Sequence, residues 1–172
     1  MEIRTAIITL SDKGSKGERE DESGQVIRQM VGAINAVVSH YEILPDEKQR
    51  IIEVLKSLSD TGAIDLILTT GGTGVAPRDV TPEATLAVID REIPGMAEAM
   101  RADSLKKTPH AMISRAVAGI RKQTLIVNLP GSPRAVRENL ASILPAVPHA
   151  IEKIKGDTSD CGSGQFSENK PC

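Results

Sequence analysis

Two short, mainly apolar runs constrain the fold more than any other feature of the sequence. They are residues 64–69, IDLILT, and residues 124–129, TLIVNL, and each is followed within a few residues by glycine. Strands that are apolar on both faces have to be covered on both faces, which is typical of parallel sheets. Segments with helical spacing of apolar residues separate such runs along the chain. We therefore predict an α/β fold, with a mostly parallel sheet between two layers of helices.

The other predicted elements alternate in the same way. Residues 3–10 and 36–44 are predicted to be the first two strands, and the polar stretch 13–24 a long loop between the first strand and its helix. Helices are predicted around residues 26–34, 45–58, 81 onward, 96–107 and 132–144, the last divided by Pro145 and Pro148. In a parallel sheet the loops that leave the carboxyl ends of strands meet at one edge, where ligands bind. We expect the loops after Leu10, Leu44, Thr70 and Leu129 to converge there.

Composition excludes several classes of protein. The chain has 172 residues, which suits one domain, and its 21 basic and 23 acidic residues are mixed, so no basic stripe predicts nucleic-acid binding. No apolar run has the length of a membrane span, and the first ten residues resemble a strand rather than a signal peptide. Cys161 and Cys172 lack metal-binding spacing, which favours reduced thiols in the cytoplasm. We expect a domain over residues 1–156 and a flexible polar tail over 157–172.

The glycine-rich turn in residues 66–85, LILTTGGTGVAPRDVTPEAT, is the first candidate site. It fits neither a Walker loop nor a dinucleotide fingerprint, because Ala76 and Pro77 stand where glycine or lysine is needed. Its backbone amides, with the hydroxyls of Thr69, Thr70 and Thr73, could hold an anion. A tight turn that binds nothing is the alternative.

Two aspartates at the same predicted edge of the sheet could bind a metal ion. Mg²⁺ is commonly held by one or two carboxylates together with substrate phosphates, so Asp79 on the glycine loop and Asp46 after the second strand are candidate ligands. Each has a structural alternative. Asp79 could stabilise the helix that begins at Thr81, and Asp46 with Gln49 resembles a capping box.

Two further segments could bind an anionic group. Gly131 and Ser132 follow the last apolar strand, and Ser132 is predicted to cap a helix whose positive end faces the crevice. Ser114 and Arg115 offer a hydroxyl and a guanidinium. A rigid turn and a solvated surface pair, respectively, are the alternatives.

Several motifs together resemble the molybdopterin adenylyltransferase family of molybdenum cofactor biosynthesis. They are TTGGTGVAPRDVTPEAT, LSD after the first strand, LPDE after the second, SRAVAGIR and VNLPGSP, and the resemblance runs from about residue 3 to residue 154. It implies a three-layer α/β/α domain that assembles as a homotrimer. It also implies transfer of AMP from Mg·ATP to the terminal phosphate of molybdopterin, with release of pyrophosphate, and a downstream partner that inserts molybdenum.

The resemblance also implies roles for individual residues. Asp46 and Asp79 would be catalytic and position Mg²⁺ and the triphosphate. The nucleotide side would be formed by Ser11, Asp12, Thr70, Gly71, Gly72, Thr73 and Gly74, and the molybdopterin side by Ser114, Pro130, Gly131 and Ser132. The chain departs from many relatives at Lys13, where they have arginine. A binding-only carrier or regulatory paralogue, or a trimeric scaffold module, is the alternative function.

Overall fold

The computed structural model describes residues 1–158, which contain six strands and seven α-helices. The strands are β1 (Ile3–Leu10), β2 (Ala36–Leu44), β3 (Leu66–Thr70), β4 (Arg91–Glu92), β5 (Ala118–Arg121) and β6 (Thr124–Leu129). The helices are α1 (Asp12–Ser15), α2 (Glu22–Val31), α3 (Lys48–Asp60), α4 (Thr81–Leu86), α5 (Pro94–Leu105), α6 (Pro133–Ile143) and α7 (Val147–Ile154). Three short 3₁₀ helices lie at Gly32–Ile34, Pro109–Ile113 and Leu144–Ala146. Both cysteines and most of the predicted tail lie outside the described residues.

The strands form one sheet in the order β2-β1-β3-β6-β5-β4. The first four run parallel, and β5 and β4 continue the sheet in antiparallel pairing. This order confirms the predicted mostly parallel sheet. Strands β4 and β5 were not predicted from the sequence, because two- and four-residue strands carry too little periodic pattern.

Helices cover both faces of the sheet, which confirms the three-layer architecture. On one face, α2, α5, α6 and α7 pack on side chains such as Leu68; on the other, α3 and α4 pack on side chains such as Ile67. Consecutive residues of a strand point to opposite faces, so both side chains are fully buried. Only 1% of residues are aromatic, and both cores consist almost entirely of aliphatic side chains and methionine. Among residues 1–158, no helix combines the length and apolarity needed to cross a membrane.

Some predicted boundaries were wrong. The stretch predicted as one long loop contains the one-turn helix α1, capped by Ser11, and the start of α2, capped by Asp21. The Thr81-Pro82 pair predicted a cap at Thr81 and a first helical residue at Pro82, but Thr81 is itself the first helical residue of α4 and does not cap it. The predicted division of the last helix is confirmed, because a 3₁₀ turn separates α6 from α7.

A buried carboxylate joins the two ends of the described chain at the edge of the sheet opposite the carboxyl ends of the parallel strands. Asp65 precedes β3, its side chain is 2% exposed, and it accepts hydrogen bonds from the Arg4 guanidinium at 2.7 and 3.0 Å. The Nζ of Lys155, just after α7, lies 2.7 Å from the same carboxylate. Burial alone would raise the pKa of Asp65, but the hydrogen bonds from Arg4 and Lys155 outweigh it and lower the pKa to about 2.

Candidate active site

A cleft of about 530 Å³ lies at the carboxyl ends of the parallel strands. Its lining includes residues from the loops that follow β1, β2, β3 and β6, namely Ser11, Gly14, Asp46, Gly71, Gly72, Asp79, Gly131 and Ser132. The predicted convergence of these four loops is therefore confirmed. Ser11, Asp46, Thr70, Gly71, Gly72 and Asp79, all predicted for the nucleotide side, border this one space.

A second cleft, of about 420 Å³, adjoins the first. Its lining includes Ser114, Pro130, Gly131 and Ser132, so the predicted molybdopterin-side residues are brought together here. Thr73 and Gly74, predicted for the nucleotide side, line this second cleft and not the first. Four residues line both clefts, Gly72, Asp79, Gly131 and Ser132. The glycine turn therefore lies at the border between two spaces of a size that suits small ligands.

The glycine turn needs glycine at its first two positions. Gly71 and Gly72 have φ angles of +100° and +64°, which other residues rarely adopt. A Cβ on Gly71 would overlap the carbonyl oxygen of Leu10, and one on Gly72 would overlap the Thr81 hydroxyl and lie 3.1 Å from Asp46 Oδ1. The amide of Gly71 donates to Leu129, but those of Gly72, Thr73 and Gly74 donate to no acceptor within residues 1–158. The turn therefore presents free donors where the clefts meet.

The expectation that the neighbouring threonine hydroxyls add free donors is wrong for two of the three. Thr69 is fully buried, and its hydroxyl accepts from the Asn128 amide at 2.9 Å. The Thr70 hydroxyl donates to the carbonyl of Pro130 at 2.7 Å, although Thr70 still lines the first cleft. These bonds hold β3 against β6. Of the three hydroxyls, that of Thr73 alone makes no hydrogen bond within residues 1–158, so it and the backbone amides are the free donors of the turn.

Asp46 does not form the capping box that its spacing suggested. Helix α3 begins at Lys48, and its cap residue, Glu47, makes no side-chain hydrogen bond. Instead Asp46 Oδ2 accepts from the backbone amide of Asp12 at 3.0 Å, and the amide of Asp46 donates back to Asp12 Oδ1 at 3.1 Å. Burial raises the pKa of the Asp46 carboxyl, and the negative charges of Asp12 and Asp79 raise it further. Its Oδ1 lies beside Gly72.

Asp79 closes its own loop and points toward the glycine turn. Its Oδ2 accepts from the amide of Ala76 at 2.8 Å, and its backbone amide donates to the Ala76 carbonyl at 2.9 Å. The Asp79 carboxylate makes no hydrogen bond to the first amides of α4. Oδ2 also lies 2.8 Å from the position that a Cβ on Gly74 would occupy. The two aspartates therefore lie beside the turn, Asp46 at Gly72 and Asp79 at Gly74.

Asp12 supports the site but does not line either cleft. Both of its carboxylate oxygens accept from Arg78, at 2.6 and 2.9 Å, in a two-point pair. The hydrogen bonds from Arg78 lower the pKa of Asp12, so it stays ionised. Sequence analysis assigned no role to Arg78, because its partner is 66 residues away.

The two other segments predicted to bind an anionic group are only partly as expected. Ser132 caps α6 as predicted, because its Oγ accepts from Ala135 at 3.2 Å. Ser114 lines the second cleft. Arg115 is not the unpaired cation that its sequence context suggested, since its guanidinium donates to the carbonyls of Gly74 and Asp79 and pairs with Glu83.

A further part of the cleft wall was missed because it has no periodic pattern. Asp21 caps α2 by accepting from Gly24 at 2.9 Å, and it also accepts from the hydroxyls of Thr9 and Tyr41. Burial, together with the hydrogen bond to Asp21, raises the pKa of Tyr41 to about 12, so the phenol remains a donor. This network fixes the segment that leads into α2, where Asp21 and Ser23 line the first cleft.

Comparison with known proteins identifies the family of the chain. A family model described as a probable molybdopterin binding domain matches residues 6–149. The chain belongs to the molybdopterin-binding domain family. The sequence resemblance to that family's adenylyltransferases is confirmed by the molybdopterin adenylyltransferase of Helicobacter pylori strain J99, which is 44% identical over 90% of this chain and 89% of its own length.

Two other members of the molybdopterin-binding domain family are informative. The crystal structure of a molybdopterin biosynthesis enzyme from Thermus thermophilus is 51% identical, with a TM-score of 0.85 over 90% of this chain and 98% of that one. Gephyrin of Dictyostelium discoideum is 47% identical over 86% of this chain, which covers 22% of gephyrin. The same domain therefore occurs both as nearly the whole of a protein and as part of a much larger one.

Gly72→Ala tests whether position 72, which borders both clefts, requires a residue that readily adopts the left-handed backbone conformation. The new methyl group would displace the Thr81 hydroxyl and press on Asp46, so we expect a fold weakened by roughly 1–2 kcal/mol and little remaining activity. Thermal unfolding and a pyrophosphate-release assay measure the two effects. Gly32→Ala is the matched control, because Gly32 has negative φ and open space around its Cα. Equal stability and activity in both variants would contradict the expectation.

Proposed function

We propose that this protein transfers AMP from Mg·ATP to the terminal phosphate of molybdopterin and releases pyrophosphate. The observation that carries the proposal is the position of the glycine turn. Gly72 lines both adjoining clefts, Thr73 and Gly74 line the second, and Asp46 and Asp79 lie beside Gly72 and Gly74 respectively. Two anionic substrates could then meet at one set of backbone dipoles. The activity that names the Helicobacter pylori relative supports the same reaction.

The reaction needs no nucleophilic side chain. An oxygen of the molybdopterin phosphate forms a bond to the α-phosphorus of ATP, while the bond from that phosphorus to the bridging β-oxygen breaks and pyrophosphate leaves with that electron pair. The protein has to align the two phosphates and offset the charge that develops between them. The amides of Gly72, Thr73 and Gly74 are free to do so.

The carboxylates present fit a magnesium ion bound jointly with the substrate. Oδ1 of Asp46 and Oδ1 of Asp79 accept no hydrogen bond from the described residues, so each carboxylate keeps one oxygen available. In residues 1–158 no three potential ligand side chains gather into a complete metal site. Mg²⁺ held by Asp46 and Asp79 would complete its shell with phosphate and water oxygens. When bound, the ion supplies positive charge that offsets the charge of the triphosphate.

The clefts divide between the two substrates in this proposal. ATP would lie in the first cleft, bordered by Ser11 and Thr70 and reaching the turn at residues 71–74, with Asp12 behind Asp46. Molybdopterin would lie in the second, against Ser114 and residues 130–132. We further propose that the protein forms homotrimers in the cytoplasm and passes adenylylated molybdopterin to a molybdenum-insertion protein.

Incubation with purified molybdopterin, Mg²⁺ and each nucleoside triphosphate in turn tests the proposal. We expect pyrophosphate release that requires both molybdopterin and Mg²⁺ and is fastest with ATP. Tight pterin binding without pyrophosphate would instead identify a carrier. Calorimetry with ATP tests the remaining alternative, a trimeric scaffold module, because such a module should show no magnesium-dependent heat of binding.

A further inference from the structure

The carbonyl groups of the glycine turn are held by residues that the proposed reaction does not otherwise use. Thr81 holds the first two, since its hydroxyl donates to the carbonyl of Gly71 at 2.9 Å and its backbone amide to that of Gly72 at 3.2 Å. Arg115 holds the next two. Its backbone amide donates to the carbonyl of Thr73 at 2.9 Å, and its Nε donates to that of Gly74 at 2.7 Å.

This arrangement sets the direction of the free amides. The peptide bonds are trans, so the N–H of each residue points opposite to the carbonyl of the residue before it. Fixing each carbonyl of residues 71–74 therefore fixes the direction of the next N–H group, those of residues 72–75. None of these four N–H groups has an acceptor in the described part of the chain.

Arg115 also connects the glycine turn to the loop that carries Asp79. Its Nη2 donates to the backbone carbonyl of Asp79 at 2.6 Å, and its Nη1 pairs with the Glu83 carboxylate. A single guanidinium thus holds the backbone of both Gly74 and Asp79, two neighbouring residues that line the second cleft. The planar, five-donor geometry of arginine allows this, and lysine, with one nitrogen, cannot reproduce it.

We propose that Arg115 is a positioning residue for adenylyl transfer, which orients the backbone amides of the glycine turn and the Asp79 loop without touching the substrates. This inference rests on the proposed function. Donors fixed in advance stabilise a transition state because they need no reorganisation when charge develops. Loss of Arg115 should therefore lower kcat more than it changes either KM.

Arg115→Met is the first test, with Arg121→Met as the matched control. Arg121 also combines an ion pair, with Asp60, and a bond to a backbone carbonyl, that of Val88, but it lines neither cleft. At a temperature where circular dichroism shows both variants folded, we expect kcat to fall by roughly 100-fold in Arg115→Met, with each KM within about threefold, and to change less than twofold in Arg121→Met. A wild-type kcat in Arg115→Met would overturn the inference.

Two further measurements test the positioning role of Arg115. Guanidinium ion at a non-denaturing concentration should raise the kcat of Arg115→Ala at least tenfold. Sodium chloride at equal ionic strength should not. If Arg115→Met does not fold, Arg115→Lys replaces it, with an expected kcat loss of about tenfold. Absence of rescue, or full activity in the lysine variant, would contradict the positioning role.

Amide spectra separate this inference from the proposed function. In the wild-type protein, the NMR signals of Gly72, Thr73 and Gly74 should be sharp and should shift together when pyrophosphate is added. In Arg115→Met, the signals of these three residues should broaden and should no longer shift together. If the wild-type protein releases no pyrophosphate from ATP, the proposed function fails, while the spectra still test the inference. Unchanged signals in the variant would refute the role of Arg115 alone.

Discussion

Asparagine in place of Asp46 or Asp79 will lower the rate of adenylyl transfer by roughly 100- to 1,000-fold while leaving the fold intact. Each change removes a negative charge beside the glycine turn but keeps an oxygen of similar position. The amide oxygen of asparagine can still accept from Asp12 at position 46 and from Ala76 at position 79. Pyrophosphate release with molybdopterin and Mg·ATP measures the effect.

The matched control for these variants is Asp60→Asn. Asp60 is also a carboxylate in an ion-pair network, with Arg121 and Lys122, but it lies at the end of α3 and borders neither cleft. We expect full activity in this variant. Wild-type turnover in Asp46→Asn or Asp79→Asn would remove the basis for the proposed site, and equal losses in all three variants would show that charge at the cleft is not the cause.

The second large expected effect is a loss of folding stability in Asp65→Asn. The pKa of Asp65 is lowered from an ordinary value of 3.8 to about 2, a difference equivalent to roughly 2–3 kcal/mol of stability at neutral pH. Asparagine cannot provide the charge that holds Arg4 and Lys155. We expect the free energy of unfolding to fall by about that amount and the melting temperature by about 5–10 °C. Activity per folded molecule should not change, since Asp65 lies at the opposite edge of the sheet.

The acid response provides a separate check on Asp65. A carboxylate with a lowered folded-state pKa contributes its stability above the unfolded pKa near 4 and loses it as pH falls toward 2. Between these values, stability should therefore decline more steeply in the wild-type protein than in Asp65→Asn. Parallel decline of the two proteins in urea unfolding would show that this carboxylate is not the source of the effect.

The sheet was predictable from the sequence because burial on both faces leaves a local signal. The predicted bounds of β1, β2 and β6 coincide with those in the structure, and β3 differs by two residues at its start and one at its end. Antiparallel pairing of β4 and β5 depends on their neighbours in space, which no local pattern records. Convergence of the four loops was predictable for a related reason, since it follows from the direction of the strands alone.

The detailed contacts of the site were not predictable in the same way. Asp12 and Asp46 are 34 residues apart, and Arg115 and Gly74 are 41 apart, yet their hydrogen bonds decide what each side chain can do. From spacing alone, Asp46 resembled a helix cap and Arg115 a free cation. The resemblance to the family singled out Asp46 and Asp79, but it gave no account of what holds them in place.

Both clefts share one wall, and this has a consequence for interpreting kinetics. Gly72, Asp79, Gly131 and Ser132 border both spaces, so in the proposed function a substitution at any of these positions would change the surroundings of both substrates. We therefore expect binding of one substrate to be energetically coupled to binding of the other, by the same factor in either direction. An apparent affinity measured for one substrate alone thus describes a different site from the one that operates when both are present.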